Sequence, residues 1–235
     1  MTWRTGPLVA FDTETTGLDV ERDRIVTAAL VLREPTGTGT RTSVQTWLLD
    51  PGVAVPAEAT AIHGITTAHA AAHGRAPRAA LEELAALLAG HQRAGVPVVA
   101  YNAAFDLTLL DVELARHGLP TLPERLGGPV RPVLDPLVLD RDSDAGRDGK
   151  RRLADLCAHY GVLTPAPLHS AETDALATLD LLDALVGAHP HLAATTLDAL
   201  HDHQVGAHRR WVDELDERTR ERPYVGAGAD GRWPV

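Results

Sequence analysis

The sequence predicts an α/β fold, a mixed β-sheet flanked by helices on both faces. Two patterns carry that expectation. Three strand-like runs come first with short connections, and strand-like and helix-like segments then alternate. Size and composition agree: 235 residues, 44% apolar and 23% charged, suffice for one sizeable core and are ordinary for a globular domain.

In chain order, residues 7–12 and 24–33 read as strands joined by the polar turn 19–23. A loop over 35–40 follows, and residues 43–49 alternate like a third strand. Such neighbours suggest an antiparallel meander at the start of the sheet. Residues 51–67 are turn-rich. Residues 78–92 have helical periodicity, with Leu81, Leu84, Leu87 and Leu88 on one face, and Gly95 and Pro97 stop them. Residues 96–101 read as a short apolar strand, and residues 102–106 lead into a helix that ends at Gly118. A proline-bearing loop over 119–132 precedes a strand over 133–139, which contains Asp135. Residues 140–150 read as a polar, mobile loop and residues 151–160 as a helix capped by Gly161. The approach Pro165-Ala166-Pro167 then leads to a long helix over 171–186.

Pro190 breaks that helix, and a further helical pattern (Leu192, Leu197, Leu200, Val205, Trp211, Leu215) runs toward a glycine-rich tail containing Trp233. The chain thus divides into a domain over 1–187 and a C-terminal helical extension and tail over 188–235. The extension holds His189, His191, His201, His203 and His208, whose spacing fits no common ligand frame, so they read as solvated or helix-face residues. Trp211 and Trp233 could fold the arm onto the domain, or dock it onto a second copy or another partner.

The net charge of −10 argues against a protein that coats nucleic acid by charge alone, though not against one that grips a few nucleotides. The single Cys157 leaves no intrachain disulfide and fits a reducing, cytoplasmic setting. No apolar run is long enough to span a bilayer, and no leader is expected.

The stretch Phe11-Asp12-Thr13-Glu14-Thr15-Thr16-Gly17 concentrates the chemistry. It ends the first strand, where alternation sends both carboxylates to one face. Two such anions held together call for a hard cation. Thr15, Thr16 and Gly17 turn the chain and are expected to offer backbone N–H groups to a substrate end. Asp106 at a helix start, and His169 and Asp174 at a loop-to-helix switch, lie where α/β folds place their sites. Lys150-Arg151-Arg152 is a candidate contact for backbone phosphates.

The order Asp-x-Glu-Thr-Thr-Gly, Asn-x-x-Phe-Asp, His-x-Ala-x-x-Asp resembles that of the DEDDh 3′–5′ exonucleases, the DnaQ-like family of replicative proofreading subunits and their stand-alone relatives. The likeness covers roughly residues 7–187 and takes in Ile62-His63-Gly64-Ile65-Thr66 and Leu153-Ala154-Asp155-Leu156. It implies a ribonuclease-H-like sheet with the site at one end. It also implies that Asp12, Glu14, Asp106 and Asp174 hold two metal ions and that His169 is the general base. Ile62, His63 and Phe105 match positions that line the pocket for terminal nucleotides. All-oxygen ligands point to Mg²⁺ or Mn²⁺. A pair of ions can both activate a water and neutralise the leaving oxygen. The expected substrate is a single-stranded 3′ end, DNA ahead of RNA. A silent binding module on the same fold is the contrasting possibility. With no long linker toward a polymerase-binding region, a free-standing enzyme is expected.

Overall fold

A computed structural model describes residues 3–164, 168–218 and 231–235. The strands β1 (Leu8–Thr15), β2 (Ile25–Thr36), β3 (Gly39–Leu48), β4 (Val98–Val99) and β5 (Val133–Leu134) form one sheet in the order β3-β2-β1-β4-β5. β1, β2 and β3 pair antiparallel, while β1, β4 and β5 run parallel. The helices are α1 (Ala57–His63), α2 (Thr67–His73), α3 (Pro77–Arg93), α4 (Ala103–Arg116), α5 (Leu122–Leu126), α6 (Pro136–Ser143), α7 (Leu153–His159), α8 (Ala171–Ala188), α9 (Pro190–Ala194) and α10 (Leu197–Arg218). A mixed sheet between two helical layers is the architecture that the sequence predicts.

Alternation along β1 builds the two layers. Val9 and Phe11 enter a core with Leu81, Leu84 and Leu88 of α3 and Leu107 and Leu110 of α4. Leu8 and Ala10 enter another with Ala175, Leu179 and Leu182 of α8. Each of these leucines contributes about 1.5–3 kcal/mol by leaving water. The C-terminal end of β1 therefore lies between the first turns of α4 and α8.

Several expectations change: the stretch 119–132, read as a loop, holds α5 behind a Thr121 capping box, and the strand over 96–101 shortens to Val98–Val99. Residues 51–67 are not only turns: α1 and the start of α2 lie there, α1 closed by Gly64 in the left-handed region. The strand over 133–139 stops at Leu134, and Asp135 caps α6 instead by accepting the Leu137 N–H (2.9 Å). Pro136 decides this, since it has no N–H for a sheet ladder and its fixed φ suits the first helical position. The segment 140–150 begins within α6, which runs to Ser143, and is anchored at Asp140. Asp140 is wholly buried and accepts from Arg151 Nε (2.7 Å), an Arg147 guanidinium N–H (3.1 Å) and the Tyr160 hydroxyl (2.9 Å).

The extension packs on the body. α10 runs beside β5, the sheet's edge, and supplies with side chains what a further strand would supply with backbone. The His201 Nδ1 accepts the Val133 N–H (3.2 Å). The buried Gln204 amide accepts the Asp135 N–H (2.7 Å) and donates to the Val133 carbonyl (3.0 Å). His203 and Arg210 reach Asp142, and the Arg141 guanidinium lies 3.7 Å from the Trp211 ring centre. Leu200, Ala207, Val212 and Trp233 are buried against this chain's own body, so they are not a free docking face. Of the extension's histidines, read as solvated or helix-face residues, His201 and His208 lie on α10 and are buried there. The approach Pro165-Ala166-Pro167 and the glycine-rich stretch up to Asp230 lie outside the described residues.

Candidate active site

A bulge between Glu14 and Thr15 ends the regular pairing of β1 with β2. Asp12 and Glu14 sit just before it on the α8 side of the sheet. Asp174, in the first turn of α8, completes a group in which one carboxylate oxygen from each acid lies within 4.8 Å of the others. Thr13 points the other way, toward α4. There its N–H (3.0 Å) and hydroxyl (2.6 Å) both donate to Asp106 Oδ1, which fixes the fourth acid beside the other three.

Burial raises the pKa of all four acids, and repulsion from the others adds to it at Asp12 and Glu14. Burial, followed by Asp106, Asp174 and Glu14, pushes Asp12 well above the usual carboxylate range. Burial, then Asp174 and Asp106, pushes Glu14 up to about 7. Burial lifts Asp106 to about 7 against the opposing pull of the Thr13 hydroxyl and N–H. Asp174 is also raised by burial, opposed by the His169 N–H and ring. The charges that shift Asp12 and Glu14 are all negative. A donor set of carboxylate oxygens that repel one another fits a hard divalent ion, which would take the place of the missing protons.

A stability prediction follows. The folded pKa values of Asp12, Glu14 and Asp106 lie above their unfolded values, so between pH of about 4 and about 7 the native state holds more protons than the unfolded chain. Without metal, the thermal midpoint should fall as pH rises through that window. Mn²⁺ at pH 8 should restore it. A metal-free midpoint that rises from pH 5 to pH 8 would contradict these shifts.

His169 has φ +92°, a left-handed conformation that is costly for a residue with a side chain. Its N–H donates to Asp174 Oδ1 (2.9 Å), and its ring is exposed. Ser170 follows and caps α8 by accepting the Thr173 N–H. The general-base candidate is thus pinned by its backbone to a carboxylate of the acidic group.

Two of the nucleotide-pocket candidates lie close to these acids: His63 interacts with the Thr15 backbone, next to Glu14, and Phe105 precedes Asp106 in the first turn of α4. His63 ends α1, and its Nδ1 accepts the Ile65 N–H (3.1 Å), so the neutral ring carries its proton on Nε2. That Nε2 is buried and makes no hydrogen bond of ordinary geometry, although the ring interacts with the Thr15 backbone. Burial lowers the His63 pKa, partly offset by backbone groups of Thr15 and of His63 itself, and so favours this neutral donor. Ile62 is exposed beside it. Phe105 is half-buried and packs on the α4 side of the core.

The turn after Glu14 is more closed than the sequence suggests. The Thr15 hydroxyl donates to the Gly17 carbonyl (2.7 Å). The Thr16 N–H is taken by the Arg24 carbonyl (3.0 Å) and its hydroxyl by Asp23 (2.7 Å), so Thr16 offers no open backbone donor to a substrate. Gly17 is needed because a Cβ there would lie 2.5 Å from the Asp23 carboxylate.

In the basic cluster, Lys150 is exposed, while Arg151 is spent on Asp140 and on the Asp144 carbonyl (2.6 Å). The Arg152 N–H donates to the Asp155 carboxylate (3.0 Å). Arg151 is therefore an internal ion-pair partner and not a free phosphate ligand. Sequence reasoning missed Thr13, which lay in view between the two acids. It also missed Asp135, which the Asp-Pro helix-start signal could have revealed.

Comparison with known proteins agrees with this arrangement. A family model described as exonuclease (RNase_T) matches residues 9–182. The DNA polymerase III subunit epsilon of Treponema pallidum is 30% identical over 183 residues, spanning 77% of this chain and 76% of that protein. The DNA polymerase III subunit epsilon-like protein of Rhodobacter capsulatus is 34% identical over 195 residues, 82% of this chain but 25% of that protein. E. coli Exonuclease I, solved with a dA16 oligonucleotide, shares the fold with a TM-score of 0.65 at 20% identity, over 87% of this chain and 44% of its own. Exonuclease X, solved with 5′ overhanging duplex DNA, gives a TM-score of 0.56 at 25% identity, over 84% of this chain and 99% of its own. On its strands, its acidic group and this match, the chain belongs to the RNase_T exonuclease family, of the DnaQ-like, ribonuclease-H-like kind.

Proposed function

We propose that this protein is a divalent-metal-dependent 3′–5′ exonuclease that releases nucleoside 5′-monophosphates from single-stranded ends, DNA ahead of RNA. The observation that carries this reading is the convergence of Asp12, Glu14 and Asp174 within 4.8 Å, with Asp106 beside them and His169 at the rim. The DNA preference is supported by relatives that are DNA polymerase III subunits and by neighbours solved with DNA.

Asp12, Glu14, Asp174 and Asp106 would hold two ions, Mg²⁺ or Mn²⁺. When bound, the ions supply a nucleophilic water and neutralise charge on the leaving 3′-oxygen. His169 accepts the proton of the attacking water and passes it to solvent from its exposed position. Its backbone bond to Asp174 keeps proton acceptor and acidic group in register. The His63 Nε2–H is a donor for the terminal nucleotide, and Ile62 and Phe105 are apolar walls for its base.

The test is digestion of matched 5′-labelled DNA and RNA oligomers with Mg²⁺, with Mn²⁺ and with EDTA. A metal-dependent ladder shortening from the 3′ end is expected, fading faster on DNA. His169→Ala should slow it by about 10²–10⁴-fold and remove the rising limb of the pH–rate profile. No ladder on either polymer from folded, metal-supplied protein would overturn the reading. A persisting limb in His169→Ala would reassign the base.

A further inference from the structure

The carboxylate of Asp135 holds two helix starts and the C-terminal tail together. Oδ1 accepts the N–H groups of Asn102 (3.0 Å) and Leu137 (2.9 Å), and Oδ2 accepts that of Ala103 (2.8 Å). Asn102, the residue before α4, is left-handed (φ 60°, ψ 48°) and gives α4 no side-chain cap. Asp135 thus caps α4 from another element while capping its own helix α6. Phe105 and Asp106 lie in that first turn of α4, so the turn that Asp135 fixes is the one that presents Asp106 to Thr13.

The extension reaches the same carboxylate. The buried Trp233 points Nε1–H at Asp135 Oδ2 (3.5 Å), and its ring stacks tilted against His201 with centres 5.2 Å apart. Gln204 of α10 holds the Asp135 backbone N–H (2.7 Å). Both residues lie beyond residue 182, where the family match ends.

We propose that Asp135 and Trp233 are positioning residues for the metal site, and that the C-terminal arm, through Trp233 and Gln204, sets the Asp135 carboxylate that orders the α4 turn bearing Asp106. The inference rests on the reading of Asp106 as part of that metal site. An acceptor fully used by N–H donors cannot swing, and the turn it caps cannot fray. Partners one shell out from a metal ligand change metal affinity by about 10–100-fold when lost.

The test uses the full chain and reads Mn²⁺ uptake through the rise of the thermal midpoint as Mn²⁺ is titrated into metal-free protein at pH 8. Asp135→Asn places an NH₂ against backbone N–H groups, and should raise the half-saturating Mn²⁺ concentration by about tenfold. Trp233→Phe keeps the ring and loses the donor, and should raise it by about threefold. Trp211→Phe, farther out on the arm, should lower the metal-free midpoint at most and leave half-saturation unchanged. A residue that only stabilises the fold lowers the midpoint equally with and without Mn²⁺. That outcome for Asp135→Asn and Trp233→Phe, or an equal shift from Trp211→Phe, overturns the inference. Oligomer digestion by the same preparations separates the two claims. A wild-type protein that takes up Mn²⁺ but cuts nothing sinks the exonuclease reading and leaves the variant comparison standing. One that cuts, with variants unchanged in half-saturation, sinks only the role of the arm.

Discussion

Asp12→Asn is expected to lower the nuclease rate by about 10³-fold or more, and also to make the metal-free protein more stable at pH 8. Both effects have one cause. Asp12 is buried, and every charge that shifts it is another carboxylate, Asp106 first, then Asp174 and Glu14. Removing its charge takes away an oxygen ligand that the ions need, at a cost of about 4 kcal/mol in the transition state for that rate loss. It also removes a repulsion that the empty acidic group must bear. The sign follows from linkage. The folded-state pKa is raised, so ionising Asp12 costs stability as pH climbs above its unfolded value, and the cost is larger at pH 8 than at pH 5. As pH falls Asp12 regains its proton in the fold before it would in the unfolded chain, so the variant's advantage should shrink toward pH 5. The measurements are turnover of a labelled oligomer and thermal midpoints in EDTA at pH 5 and pH 8. A variant within tenfold of wild-type activity, or one less stable than wild type at pH 8 without metal, would contradict the site described here.

Asp140→Ala is expected to cost about 3 kcal/mol of stability, the low end for breaking a buried ion pair. Asp140 is fully buried, and it binds Arg147, Arg151 and the Tyr160 hydroxyl. Its loss takes the main carboxylate partner from two guanidiniums whose side chains are only 13% and 19% exposed, so their remaining contacts at Asp144 and water recover part of the deficit but not all of it. At this chain length the thermal midpoint should drop by about 10 °C. Lys150→Ala, an exposed neighbour in the same segment, should stay within about 0.5 kcal/mol. Similar midpoints for the two variants would mean that the segment is not held by Asp140. The effect should also reach the site, because the Arg151 carbonyl accepts the hydroxyl of Tyr101, the residue before Asn102 (2.5 Å).

The elements that reveal themselves in sequence are those whose pattern is local. β1 and β2 alternate over long runs, α3 repeats leucine on one face, and α8 follows a serine cap, so each was legible as it stands. The motif residues Asp12, Glu14, Asp106, His169 and Asp174 were legible for the same reason, with strand alternation and helix starts giving their directions. Elements of a few residues were not. β4 and β5 hold two residues each, and neighbours in the sheet decide their length. α1 and α5 are short and owe their ends to caps at Gly64 and Gly127.

The sequence by itself determined the fold class and the acids and histidine that the chemistry needs, because both rest on residue type and spacing along the chain. Only the tertiary structure decided which polar groups are already spent. Thr16 gives its N–H to Arg24, Arg151 gives its charge to Asp140, and Trp233 turns its N–H to Asp135, 98 positions away. A buried donor or charge must find a partner, and whether that partner is a neighbour, a distant strand or a substrate depends on what the fold brings within about 3 Å.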